Sequence, residues 1–141
     1  MNKSTDELMK ILESKRTYEE FFSEAVGELY FSSVAEYLEV LLREKLLNKS
    51  EVIRKANLDK NYAYQIFSGT RTNPSRNKIL MLAFGMGLTV TETRKLLKVC
   101  NLTDLYPRSP RDSVIIFCLN NNLSLIQTNE KLEDFGQDIL E

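Results

Sequence analysis

At 141 residues, 43% hydrophobic and 28% charged with a formal net charge of −1, the chain suits one ordinary domain with a core of its own. It has no histidine, and its two cysteines, Cys100 and Cys118, lie outside any CxxC spacing. That excludes a structural zinc site and removes the commonest general base. No apolar run approaches bilayer length, the first residues lack the apolar core of a signal peptide, and nothing alternates like a strand. The expectation is an all-α, cytoplasmic protein with no membrane partner and two buried, reduced thiols.

In chain order, Ser4 or Thr5 caps a first helix over residues 4–15, with Asp6 and Glu7 at its positive end and Leu8, Ile11 and Leu12 on one face. A second helix starts at Thr17 and carries Tyr18, Phe21, Phe22, Ala25, Val26 and Leu29. Ser33 and Glu36 open a third, running from Val34 to about Leu46 with Tyr37, Leu38, Leu41 and Leu42 inward. These segments divide the chain into an acidic extension, 1–32, a central domain, 33–102, and a C-terminal helical pair, 103–141, packed on the core.

The most informative stretch follows. Asn48 caps a short helix in which Val52, Ile53 and Ala56 face inward. Asn57-Leu58-Asp59 makes a tight turn, with asparagine suited to a left-handed backbone, Leu58 plugging the core and Asp59 capping the next helix. Ala63, Ile66 and Phe67 recur at i, i+3, i+4, and Gly69 stops the helix. Lys60, Asn61, Tyr62, Tyr64 and Gln65 are left at its start and on its outer side. This is a helix-turn-helix layout, whose second helix enters the major groove of DNA.

A polar loop leads to Ser75, which caps a helix from Arg76 to about Phe84, ended by Gly85 and Gly87. Thr89 and Glu92 form a capping box for a helix with Leu96, Leu97 and Val99 inside. After Tyr106-Pro107-Arg108, Ser109-Pro110 starts another helix, stopped at Asn120-Asn121-Asn122. Ser124 starts the last, with Leu125, Ile126, Leu132 and Phe135 apolar and Gly136 as its stop. This final pair echoes the helix-turn-helix spacing, but its acid-rich last helix would repel phosphate.

Charge supports the same focus. Residues 43–111 hold 14 Lys+Arg against 5 Asp+Glu, whereas residues 1–42 hold 4 against 9 and residues 112–141 hold 1 against 6. A basic middle between acidic ends is the asymmetry of a DNA-binding core flanked by packing or partner segments.

Residues 47–92 resemble the Cro/CI-type helix-turn-helix domain of the lambda-repressor-like superfamily. The resemblance rests on Leu47, Asn48, Lys49, Glu51, Ala56, Leu58, Asp59, Gln65, Ile66, Gly69, Arg71, Asn73, Pro74, Ser75, Leu80, Ala83, Gly87 and Leu88. The whole chain, with Tyr106 to Asp112, also looks like bacterial regulators of Firmicutes type. The resemblance implies a transcriptional regulator that binds double-stranded DNA as a homodimer. On this layout Lys60, Asn61, Tyr62, Tyr64 and Gln65 are expected to read bases, and Lys49, Ser50, Arg71, Asn73, Arg76 and Lys78 to contact phosphates. Lys49 stands where the family often has glutamine, and Phe67 where it usually has a polar residue. The rival expectation is an adaptor that keeps the fold but binds protein, through the aromatic helix 59–67 or the acidic terminal helices. No cofactor or metal signature is present, and an enzyme is not expected.

Overall fold

The computed structural model describes residues 4–14 and 33–141, and among these every regular element is an α-helix. The chain divides into two units, Met1–Tyr30 and Phe31–Glu141. In the first, α1 (Thr5–Ser14) is capped by Ser4, whose hydroxyl accepts from Glu7 N–H at 3.1 Å. The helix expected from Thr17 lies outside the described residues.

The second unit contains α2 (Val34–Glu44), α3 (Lys49–Lys55), α4 (Lys60–Ser68), α5 (Arg76–Met86), α6 (Val90–Val99), α7 (Pro110–Asn120) and α8 (Leu125–Asp134). None exceeds 11 residues. Helices this short are marginal alone, so their ends and their buried faces must hold them. Each N-terminus has its expected cap: the side chains of Ser33, Asn48, Asp59, Ser75, Thr89, Ser109 and Ser124 accept the N–H three residues on. Thr89/Glu92 and Ser124/Gln127 complete reciprocal capping boxes.

The C-termini share a second device. Leu46, Asn57, Gly87, Asn101, Asn122 and Gly136 have φ between 52° and 69°. The residue after each donates its N–H back to the carbonyl five positions earlier, at 2.8–3.3 Å. This is the Schellman motif, and it reverses the chain within two residues. In five of the six turns that next residue is leucine: Leu47, Leu58, Leu88, Leu102 and Leu123, all in or against the core. In four it is followed at once by the cap of the next helix.

Packing runs α3 on α5, α2 on α4 and α6, α5 on α6 and α8, α6 on α7, and α7 on α8. Helix α5 is central, with every residue from Ile79 to Met86 buried. Gly85, expected to stop this helix, lies inside it, and Gly87 is the left-handed cap. A Cβ on Gly85 would stand 2.5 Å from the Val52 carbonyl oxygen and 2.7 Å from Ala56 Cβ, so glycine lets α3 lie directly on α5. Val99 is half-buried rather than enclosed, and Ile126 and Phe135 are exposed rather than core.

The C-terminal pair is a structural copy of α5–α6, offset by 35 residues. Arg76 Nε donates to Thr103 O at 2.9 Å, and Arg111 Nε to Asp138 O at 2.8 Å. One Nη of each donates to the next carbonyl, Asp104 O or Ile139 O, at 3.1 Å. The buried hydroxyls of Thr93 and Thr128 each donate 2.8 Å to their capping residue's carbonyl. Gly87 matches Asn122, Leu88 matches Leu123, and the closing leucines Leu105 and Leu140 are both buried. The copies also exchange contacts. Arg76 forks onto Asp112 at 3.1 and 2.9 Å, while Arg111 donates to Asn77 at 2.9 Å, and Asn77 and Asp112 are themselves equivalent positions.

Gly85→Ala forces backbone apart between α3 and α5. It should lower stability by roughly 1–3 kcal/mol or more, measured by denaturant titration.

Candidate nucleic-acid interface

Helix α4 gets its direction from three anchors. Ala63, Ile66 and Phe67 are buried against the core, the Asp59 carboxylate accepts Tyr62 N–H at 3.0 Å, and Gly69 closes the other end at φ 83°. Phe67 is therefore core, only 3% exposed, which removes it from any partner surface. Lys60, Asn61 and Tyr64 remain exposed, while Tyr62 and Gln65 are half-buried.

Arg71, from the loop after α4, folds back onto this face. Its guanidinium sits 4.4 Å from the Tyr62 ring centroid, and its Nε and an Nη donate to Gln65 Oε1 at 3.2 and 2.8 Å. Its backbone N–H also donates to Gln65 O at 3.0 Å. Both lone pairs of the Gln65 amide oxygen are thus filled, and its NH2 is the end left for a ligand. Tyr62 is fixed from behind, since its hydroxyl accepts Ser75 N–H at 3.4 Å, and Lys78 approaches its ring at 6.0 Å.

Asn61, Tyr62, Gln65, Arg71 and Lys78 consequently line one shallow concavity of about 270 Å³, together with Leu58 and Asp59. Asn73 joins Gln65 and Arg71 along an adjoining concavity. Among the described residues, Lys60, Arg71 and Lys78 form no ion pair, and the concavity's one carboxylate is committed to capping α4.

Three other expected phosphate contacts are placed apart. Lys49 pairs with Glu39 at 2.8 Å and lies 5.5 Å from the Phe67 ring, so its charge is largely answered inside the fold. Ser50 is exposed on α3. Arg76 points away into the Asp112 clamp with four donor contacts made, which removes it from the phosphate-binding set. Its structural role was readable from the 35-residue recurrence of Arg76 and Arg111 with their flanking patterns, a signal that helix periodicity alone does not expose.

The thiols lie elsewhere. Cys118 is fully buried, and burial pushes the half-buried Cys100 thiol up to about 12, which makes Cys100 a poor nucleophile at neutral pH. Among the described residues no group of acidic or thiol side chains could hold a metal, and no helix is long and apolar enough to cross a membrane. No family model, curated protein or solved structure matches the chain.

Removing Arg76 leaves the Asp112 carboxylate, which is 8% exposed, without its cation and with only the Tyr106 N–H, at 3.0 Å, still donating to it. Arg76→Ala should cost roughly 3 kcal/mol or more in denaturant titration, and Arg76→Lys should recover only part, because lysine cannot supply the fork.

Proposed function

We propose that this protein is a sequence-specific DNA-binding regulator of the Cro/CI helix-turn-helix type, which lays α4 in the major groove. The observation that supports this most is the character of the α4 face. Two amides, two tyrosines and three cations gather along α4, the loop after it and the first turn of α5, and the one carboxylate lining the concavity is tied up in the cap. Amides and guanidinium match base edges, and cations without acidic partners release phosphate counterions.

In this reading Asn61 reads a base through both ends of its amide. Gln65 and Arg71 act as one unit, with Arg71 holding the amide oxygen so that the Gln65 NH2 and the remaining Arg71 N–H groups point outward. Lys60 and Lys78 hold phosphates on either side, and Tyr64 offers a ring edge to a thymine methyl. A face this small reads few base pairs, so two copies on a two-fold site are required for useful affinity.

Selection from a randomised duplex pool, followed by titration of the winner at several salt concentrations, tests the proposal. A two-fold consensus with a steep negative salt slope is expected. Asn61→Ala should lose roughly 1–3 kcal/mol of discrimination at its base position, and Lys78→Ala should reduce the salt slope by about 1 with little change of consensus. Arg71→Ala should do both, since it also releases Gln65. Failure of any duplex to enrich or to bind at low salt would overturn the proposal in favour of a protein-binding adaptor.

A further inference from the structure

The duplication of α5–α6 as α7–α8 exposes an asymmetry between the copies. In the first copy, Ile79, Leu82 and Leu96 are fully buried. Their equivalents 35 residues on are Val114, Phe117 and Lys131. Val114 is only half-buried, Phe117 is 51% exposed, and the neighbouring Phe135 is 67% exposed. A helix pair of this kind has a face that it cannot cover by itself. In the first copy the rest of the unit closes over it, through α3 on α5 and α2 on α6. In the second copy the same face forms an open concavity of about 390 Å³, lined by Pro110, Val114, Phe117, Lys131, Phe135 and Gln137.

The charge on this face identifies what fits it. Lys131 lies between the two rings, 5.6 Å from Phe117 and 6.0 Å from Phe135. Asp134 stands one turn further along α8 on the same side. Although three residues apart, these two make no ion pair with each other, and neither makes one elsewhere among the described residues. A face with a projecting ring, a hollow beside it, and a lysine and an aspartate one turn apart that form no ion pair is complementary to itself under a two-fold rotation. Antiparallel approach of two α8 helices sets Lys131 against the partner's Asp134 and repeats the pair across the axis. The lining of the hollow contains no carboxylate, so the Lys131–Asp134 pairs would stand at its rim.

We infer that the α7–α8 face is an isologous self-association surface, on which a second copy of this chain packs Phe117 and Phe135 with Lys131 opposite the partner's Asp134. It supplies the two-fold partner that the proposed DNA reading requires, and in that sense rests on that reading. Its apolar centre is small, which points to a dimer of roughly micromolar dissociation constant rather than an obligate one.

Sedimentation of the full chain over a concentration series tests this directly. The wild type should pass from monomer to dimer, and Phe117→Ser with Phe135→Ser should remain monomeric with unchanged circular dichroism. Lys131→Glu and Asp134→Lys should each weaken the dimer at least tenfold when alone. Mixed in equal amounts they should form a heterodimer, because each then meets the opposite charge across the axis. A wild type that stays monomeric at about 100 μM, or a dimer indifferent to both aromatic substitutions, would overturn the surface. Monomers that nevertheless enrich a specific sequence would overturn it while sparing the DNA reading. A dimer with these mutational responses that binds no duplex would support the surface and sink the DNA reading alone.

Discussion

The fold depends on reversing the chain within two residues, again and again. Its helices in the second unit run from 7 to 11 residues, below the length at which helices persist alone. What makes them stable together is a left-handed residue followed by a leucine that drops into the core, then a side chain that caps the next helix. Asparagine and glycine take the left-handed position at five of the six turns, where their strain is small. Leu46 is the exception, with φ 54° and 91% exposure, and no contact explains the choice of leucine there.

On this framework two arginines bind the helix pairs into one body. Arg76 and Arg111 each close their own copy by capturing carbonyls after its second helix, and each reaches into the other copy, to Asp112 and Asn77. A guanidinium suits this work because its planar set of donors can serve two carbonyls and a carboxylate at once. Around this joint the outer surfaces diverge. The α4 side gathers cations and amides, while the α7–α8 side leaves aromatic rings uncovered.

Most of the helix limits were legible because capping is local chemistry. Ser75, Thr89, Ser109 and Ser124 announce helix starts within four residues of sequence, and Asn57 announces a left-handed turn. Gly85 misled because a glycine that ends a helix and one that admits a neighbouring backbone look alike along the chain. Only the crossing of α3 over α5 separates the two. Arg76 misled for a related reason. Its position beside a helix start after a basic loop suits a phosphate, and its true partners lie 27 to 36 residues away. The site itself was half legible. Asn61, Tyr62, Gln65, Arg71 and Lys78 do converge, but the Gln65–Arg71–Tyr62 assembly depends on a loop folding back, which no helical periodicity reports.

In the proposed complex the α4 face meets DNA and the α7–α8 face does not. Amide and side-chain NMR of the labelled protein, titrated with its selected duplex, puts that most directly. Shifts should concentrate at Asn61, Gln65, Arg71 and Lys78, including the Gln65 side-chain NH2, with α8 signals unmoved at constant dimer fraction. Shifts centred on Phe117, Lys131 and Phe135, with α4 silent, would contradict it.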